Sequence, residues 1–452
     1  MKKAMLISLI LVVLMLIGTM SVFASGRQNL RGMEIVIGNW WSDYDTATKV
    51  PISDFEEREL EYRRRIQQEN NFRLRVRNIA SWGEMSQIAA TSIMAGRPAA
   101  SVFTLQPDWA LALYRQNLLY PVSDSRVINW ASQTPVEWNQ DVTRAFSFNG
   151  KSYAFMNGIG GSYHATCVFW NKRLFREAGL NPDLPYDLQR DGTWTWARFL
   201  EICRTLTRDV NNDGIMDTYG LVSDLSTEIL DAFVVGNGAM YVDKDPRTGR
   251  LVNATNRPEF IEAVRFYMQL RDAGVMKPKP IGPDGTTGST PWNWHIPEFQ
   301  DGRVAMRIDQ VYIRGDLRNM RDDWGVVLPP KGPRSTNYRV FTDENVYVIP
   351  RSTPAAQVDQ ILFALNLWFT PVPGTSWKDG LWQEYRDERA VNETWELIRN
   401  PALQQWRYNL HVPGLNRGGI AWQIWWHDGE PAQLIEAVSQ NWNALIDDAN
   451  GM

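Results

Sequence analysis

Aromatic and acidic side chains stand together where the first strand pattern of this chain ends. Trp40, Trp41 and Asp43 directly follow the β-branched run at 33–39. In open α/β sheets, ligands bind beyond the carboxyl ends of strands. A sugar presents apolar C–H faces and hydroxyl groups, so its receptor needs aromatic rings beside planar polar side chains. We therefore predict that these three residues contact a carbohydrate, with packing of the indoles inside the protein as the alternative.

Tryptophan is abundant throughout the chain. Its 21 tryptophans outnumber the 17 phenylalanines and the 15 tyrosines. Helical spacing predicts a core position for Trp196 and Trp442. Loop segments hold others that are candidates for a binding surface, namely Trp82, Trp109, Trp422 and Trp425. We expect the first group to serve stability and the second to serve binding.

A second chemically specific pattern lies at 209–220. Oxygen donors stand at the first, third, fifth, seventh and ninth positions, with glycine at the sixth, which is the spacing of a calcium-binding loop. These positions are Asp209, Asn211, Asp213, Ile215 through its carbonyl, and Asp217. Gly220 replaces the bidentate glutamate at position twelve, so we expect weak affinity unless Thr218 completes the shell. A turn rich in Asp and Asn, without metal, is the alternative.

Side chains for catalysis do not form a recognisable motif. The sequence has no H-E-x-x-H, G-x-S-x-G or P-loop pattern, and its four histidines are scattered. Cys167 and Cys203 have neither C-x-x-C nor metal-ligand spacing, which leaves two buried thiols or one disulfide. We therefore predict no catalytic residues and no cofactor other than a structural Ca²⁺.

The N-terminus has the pattern of a secretory signal peptide. Lys2 and Lys3 precede a long apolar run that ends in small residues at 22–24, so we expect cleavage near Ala24. A single-pass membrane anchor is the alternative, although an apolar run of about 15 residues is short for a bilayer. No cysteine stands near the expected cleavage site, so no lipid anchor is expected there. The mature protein is therefore expected to be free in the periplasm.

Charge and length narrow the class further. The 452 residues carry a formal net charge of −4, and the one basic cluster, at 63–65, follows a glutamate-rich stretch. Nucleic acid is therefore not an expected partner. The chain also exceeds what one hydrophobic core usually serves, so we expect at least two lobes.

Strand and helix patterns alternate along the chain, which predicts an α/β fold. The strand patterns fall at 33–39, 73–77, 100–104, 150–155 and 165–170. The helix patterns fall at 53–70, 82–95, 109–116, 195–206, 258–273, 354–369 and 431–449. Trp82 and Trp109 then stand at the starts of two of these helix patterns.

Six segments in order carry a family resemblance. They are 95–98 continuing to 118–121, 170–175 with 178–180, Thr195–Trp196 with Phe199, 299–306, 328–332 and 442–447. Together they resemble the extracellular solute-binding proteins of ATP-driven sugar importers, the family that includes maltose-binding protein. Ser101 and Arg198 depart from this pattern, because the family usually has acidic residues there.

The resemblance implies a fold of two α/β lobes, each a central sheet flanked by helices, joined by crossing hinge strands. The implied divisions are a signal peptide at 1–24, a first lobe at 25–146 and 344–404, and a second lobe at 147–343 and 405–452. A solute would bind between the lobes, and closure about the hinges would present the complex to a membrane permease.

The resemblance also implies site residues. Asp108 and Trp109 match polar sugar-contacting positions, although Asp108 also suits the start of a helix. Tyr312, with Asp309 beside it, and Trp422, with Trp425 nearby, match stacking positions. Further candidates lie in segments that approach the cleft, namely Trp82, Glu344 and Asn345.

Two other functions remain open at this stage. Tryptophan surfaces with paired carboxylates also describe a secreted glycosidase. A binding protein for another solute, such as a peptide or a polyol phosphate, is the second alternative, although a phosphate favours convergent basic groups that these aromatic loops lack. We expect a non-enzymatic, monomeric binding protein whose partners are a carbohydrate, in particular an oligosaccharide, and the permease of an importer.

Overall fold

The computed structural model describes residues 27–158, 160, 164–222, 227–282, 286, 289–291 and 293–451. The expected signal peptide lies outside these residues. The strands are β1 (Met33–Asn39), β2 (Tyr44–Asp45), β3 (Phe72–Asn78), β4 (Val102–Leu105), β5 (Ser147–Phe148), β6 (Lys151–Ser152), β7 (Thr166–Asn171), β8 (Tyr219–Val222), β9 (Val242–Lys244), β10 (Leu251–Asn253), β11 (Met276–Lys277), β12 (Val304–Gln310), β13 (Trp324–Val327), β14 (Val340–Phe341), β15 (Val346–Val348) and β16 (Gln404–Gln405).

Helices alternate with these strands. They are α1 (Asp54–Asn70), α2 (Met85–Met94), α3 (Pro107–Arg115), α4 (Gln140–Ala145), α5 (Lys172–Glu177), α6 (Leu184–Arg190), α7 (Trp196–Leu206), α8 (Thr227–Gly236), α9 (Pro258–Asp272), α10 (His295–Gln300), α11 (Arg314–Leu317), α12 (Ala355–Phe369), α13 (Trp377–Leu381), α14 (Trp395–Ile398), α15 (Gly418–Trp426), α16 (Pro431–Ser439) and α17 (Trp442–Asn450). Within the described residues, none of these helices has the length and apolar character needed to span a membrane.

The first sheet forms around the β-branched run of β1. Its order is β15-β4-β1-β3-β2, with β1 parallel to both β3 and β4. Ile35 and Ile37 of β1 face a core that also takes Leu362 from α12. Because β1, β3 and β4 run in the same direction, the loops that follow them meet at one edge of the sheet.

The second sheet is built from later sequence. Its order is β11-β8-β12-β7-β13, in which β8 is parallel to β11 and β12, whereas β7 is antiparallel to β12 and β13. Every residue of β7 is buried, as expected for a strand covered on both faces. Two five-stranded sheets with separate cores confirm the predicted α/β fold of two lobes.

The chain passes between the two sheets more than once. Strand β15 pairs antiparallel with β4, so the chain returns to the first sheet after completing the second. Just before this return, β14 pairs in parallel with β16 in a separate two-stranded sheet. Buried side chains at 385–398 belong to the core of the second sheet. The division of the chain at the residues predicted above stays a prediction.

Two predicted elements differ from the structure. The helix expected at 431–449 is interrupted between Ser439 and Trp442, giving α16 and α17. Polar residues at the break, including Asn441, compete with the backbone for hydrogen bonds and disfavour a continuous helix. The strand expected at 150–155 is reduced to β6 and an isolated bridge from Phe155 to Tyr347.

Both cysteines are free, buried thiols. Burial raises the pKa of Cys167 and of Cys203, because the thiolate loses its hydration in the core. Of the two alternatives left open by the sequence, the structure therefore has the buried thiols, which act as small apolar residues.

Candidate functional site

Four tryptophans form one continuous aromatic surface at the edge of the first sheet. The ring centroids of Trp40 and Trp41 lie 4.8 Å apart, those of Trp40 and Trp109 5.3 Å, and those of Trp82 and Trp109 5.5 Å. Trp40 and Trp41 follow β1, Trp82 follows β3, and Trp109 lies in α3 just after β4. We call these four residues the tryptophan platform.

The platform has an inner and an outer pair. Trp40 and Trp109 are half-buried and pack against the core beneath them. Trp41 and Trp82 are 53% and 57% exposed. The inner pair therefore anchors the outer pair, which offers a large apolar surface to solvent. Exposed indoles of this kind suit stacking against an apolar ligand face.

Asn39, which the sequence reasoning missed, orients the first two platform rings. It is fully buried, and its Oδ1 accepts the backbone N–H groups of Trp41 at 3.0 Å and Ser42 at 3.1 Å. Its Nδ2 is buried without a hydrogen-bond partner. An asparagine at the end of a strand, directly before two tryptophans, was the available signal for this turn.

The two acidic candidates of the first lobe have different surroundings. Asp43 is exposed and accepts the backbone N–H of Asn78 at 2.7 Å, which ties the loop after β1 to the end of β3. Asp108 lies in the first turn of α3, next to Trp109, and its Oδ1 is buried without a hydrogen-bond partner. Burial raises the pKa of Asp108, although backbone N–H groups and Arg417 oppose the shift.

Tyr312 and Asp309 lie near each other in the chain but differ in exposure. Tyr312 is 47% exposed in the turn after β12. Asp309 is buried at the end of β12, where it accepts hydrogen bonds from Nε and Nη2 of Arg307, the former at 3.0 Å. The Asp309 carboxylate is therefore held by a neighbouring arginine, whereas the Tyr312 ring is open to solvent.

Trp422 borders a cavity in the second lobe. It is 48% exposed on α15, whereas Trp425 of the same helix is half-buried against the core. The cavity has a volume of about 610 Å³, and Asn416, Gln423 and Asn441 are among the residues that line it. Trp422 thus combines an open indole face with nearby uncharged polar groups.

Glu344 and Asn345 lie in the segment between β14 and β15. Glu344 is buried and Asn345 is half-buried. The preceding residue, Asp343, is buried and paired with Arg407. Although burial raises the pKa of Asp343, the Arg407 guanidinium holds it below its usual value. This ion pair was not predicted, because its members are 64 positions apart.

The predicted calcium loop is an exposed, hydrogen-bonded turn. Asp209 Oδ2 accepts the N–H of Gly214 at 2.8 Å, Asp213 Oδ1 that of Ile215 at 2.8 Å, and Asp217 Oδ2 that of Val210 at 2.7 Å. Asn211 and Asp213 also pair through their side chains at 3.0 Å. Across the described residues, no three Asp, Glu, His or Cys side chains converge on a metal-binding position. Calcium binding by this loop stays a prediction.

A protein-family comparison covers most of the chain. The family described as bacterial extracellular solute-binding protein matches residues 61–364. This match includes Trp82, Asp108 and Trp109 of the first lobe, and both Tyr312 and Glu344. No curated protein sequence gives a significant match.

Solved structures of similar fold extend over nearly the whole length. An ABC substrate-binding protein from Listeria monocytogenes, in complex with cycloalternan, has a TM-score of 0.61 and 16% identity, covering 93% of this chain and 100% of that chain. The cyclic alpha-maltosyl-1,6-maltose binding protein from Arthrobacter globiformis has a TM-score of 0.64 and 16% identity, covering 92% of this chain and 100% of that chain. UgpB from Mycobacterium tuberculosis, in complex with glycerophosphocholine, has a TM-score of 0.63 and 16% identity, covering 92% and 98%.

Proposed function

The chain belongs to the bacterial extracellular solute-binding protein family, and from this premise we propose that it is the carbohydrate-binding subunit of an ATP-driven importer. It captures a sugar, in particular an oligosaccharide, between its two lobes and delivers it to the membrane permease. The tryptophan platform carries this proposal. Four linked indoles, two of them more than half exposed, form an aromatic surface where the parallel strands of the first sheet end.

The chemistry of the platform favours a neutral, ring-shaped solute. Indole faces stack on the C–H faces of sugars, while nearby polar groups accept or donate hydrogen bonds to hydroxyls. Asp43 and Asp108 offer such groups, since Asp43 is exposed in the loop after β1 and Asp108 is half-buried next to Trp109. The extent of the platform, together with Tyr312 and Trp422 as further open rings, supports several sugar units rather than one.

Export and delivery complete the proposal. The signal peptide is removed near Ala24, and the mature chain works as a monomer in the periplasm. Closure of the lobes around the sugar creates the surface that the permease recognises. Ca²⁺ bound by the loop at 209–217 supports the fold and takes no part in solute binding. The oxygen donors at calcium-loop spacing support this last part.

Titration against a panel of sugars tests the proposal. The mature protein is mixed with mono-, di- and longer oligosaccharides, and heat release and melting temperature are measured. We expect a 1:1 complex with one class of glycan and tighter binding of oligosaccharides than of monosaccharides. Absence of binding to every sugar would contradict the proposal, and glycerophosphodiesters and peptides in the same panel identify a different solute.

Product analysis separates binding from hydrolysis. A glycosidase would cleave the oligosaccharide that a binding protein only retains. The bound glycan is therefore recovered after prolonged incubation and its chain length is determined. Recovery of intact glycan is the expected result, whereas shorter products would favour the secreted carbohydrate-active enzyme.

A further inference from the structure

A buried cluster of charged side chains connects the parallel strands β14 and β16 to the second lobe. Asp343 follows β14 and Arg407 follows β16, and these strands run in parallel. Arg407 donates from Nε and Nη2 to both carboxylate oxygens of Asp343, with an Nη2–Oδ2 distance of 2.6 Å. Both side chains are almost completely buried. This bidentate contact holds the ends of the two strands together.

Asp231 of α8 extends the cluster toward α15. Its Oδ2 accepts from Nη1 of Arg407 at 2.5 Å and from Nη1 of Arg417 at 3.0 Å. Asp231 is fully buried, whereas the Arg417 side chain is 18% exposed. Arg417 directly precedes α15, the helix that carries Trp422. One carboxylate oxygen therefore links the crossing strands to the start of the Trp422 helix.

The composition of the cluster indicates a geometric role. Two buried carboxylates face two guanidinium groups, with the charge of Glu228 also acting on Asp231 and Arg407, and desolvation makes such clusters costly compared with apolar packing. What charged pairs offer instead is direction, because each N–H group must point at its oxygen. At the start of α15 this contact adds to the core packing of Ile420, Ala421 and Ile424, which also restricts rotation of the helix about its axis. Trp422 lies five residues, or about one and a half turns, beyond Arg417.

We infer that Arg417 is a positioning residue for solute binding, which through Asp231 fixes the start of α15 and thereby the direction in which Trp422 meets the solute. This inference rests on the proposed function, since it takes Trp422 as a stacking surface. Binding surfaces tolerate only small displacements of such a ring before affinity falls. Because the charge of Arg417 also acts on Asp108, its effect through Trp422 is measured against a variant that lacks the Trp422 ring.

Substitution of Arg417 tests the inference in the mature protein. Arg417→Met removes the hydrogen bond to Asp231, and Arg417→Lys keeps a charged donor on a side chain of similar reach. We expect Met to weaken the affinity for the best sugar of the panel about tenfold, as for the loss of a hydrogen bond between charged groups, and Lys to restore part of it. Arg334→Met is the matched control, since Arg334 pairs with Glu262 in the same lobe but is 51% exposed. An Arg417→Met variant that binds like the control overturns the inference.

A double-mutant cycle distinguishes positioning from direct contact. If Arg417 acts through Trp422, Arg417→Met has little further effect on affinity once Trp422→Ala is present. Additive losses would mean that Arg417 contacts the solute independently and would overturn the positioning role. A wild-type protein that binds no sugar would instead contradict the proposed function.

Hydrogen exchange provides a readout that needs no solute. We expect faster amide exchange in the α15 segment at 418–426 in Arg417→Met, and near wild-type exchange in Arg417→Lys and in the Arg334→Met control. Unchanged exchange at 418–426 in Arg417→Met overturns the inference whether or not a sugar is found. Exchange that accelerates throughout the second lobe would show a general loss of packing and would overturn it too.

Discussion

The tryptophans of the platform and those in the core of the second sheet have opposite surroundings. Trp170 and Trp194 are fully buried, and their indole N–H groups donate to the carbonyl oxygens of Pro182 and Leu328, each at 2.8 Å. Trp41 and Trp82 are more than half exposed and contact other indoles. Trp170 lies inside a strand, whereas Trp41 and Trp82 follow the ends of strands. The two most exposed indoles of the platform thus lie beyond strand ends, where the proposed function places solute binding.

The largest effect is expected from a buried indole. Trp170 packs so closely on β13 that a Cβ atom at Gly325 would lie 2.3 Å from its ring. Trp170→Ala removes this packing and leaves a cavity, so we expect the free energy of unfolding to fall by about 3–5 kcal/mol. Urea denaturation measures this loss. If buried indoles serve stability and not binding, affinity for the sugar changes little under conditions in which the variant stays folded.

A further buried indole, that of Trp406, has a titratable side chain as its hydrogen-bond partner. Trp406 donates its indole N–H to Nε2 of His411 at 2.9 Å, inside the protein. Burial, assisted by the nearby charge of Lys244, lowers the pKa of His411 to about 4. Histidine in an unfolded chain titrates near about 6.5. The unfolded state therefore takes up a proton first as the pH falls, and the folded state loses stability between these two values.

This shift predicts an acid-sensitive fold. The free energy of unfolding should be unaffected by His411 above pH ~6.5 and decline by roughly 3 kcal/mol by pH ~4. Denaturation at a series of pH values measures the slope. His411→Gln, which keeps an acceptor for Trp406, should reduce it, while exposed His427→Gln should not. Some slope should remain, because burial also lowers the pKa of His164. An equal slope in both variants would contradict the assignment.

Local patterns in the sequence were sufficient for the elements around the platform. The strand at 33–39 and the helix after Ser53 have their predicted limits within one residue, because β-branched runs and capping serine act over short distances. The same locality explains the failures. Asp231, Asp343, Arg407 and Arg417 meet only after the chain has crossed between sheets, and no spacing in the sequence indicates that they pair. Exposure of each ring also depends on neighbours distant in sequence.

The outer platform residues provide the opposite test to Trp170. Trp41→Ala and Trp82→Ala each remove an exposed ring, so we expect unfolding free energies within about 0.5 kcal/mol of wild type. Affinity for the best sugar should fall by about 1–1.5 kcal/mol, or roughly tenfold, through lost stacking. Titration calorimetry measures the change, and Trp382→Ala is the matched control because Trp382 is 39% exposed outside the platform. If the affinity falls no more than in this control, the platform is not part of the binding site.

The smallest effect is expected at the loop after α7, the helix that begins with Trp196. If the loop at 209–217 binds Ca²⁺, the metal acts as the buried indoles do, on stability alone. Without a glutamate at position twelve, the affinity for Ca²⁺ should be modest. We therefore expect the free energy of unfolding to be about 1 kcal/mol lower in the presence of a chelator than in millimolar Ca²⁺. Denaturation with and without chelator measures this, and Asp209→Asn with Asp213→Asn should abolish the difference. An unchanged melting temperature after chelation would leave the hydrogen-bonded turn as the complete description of this loop.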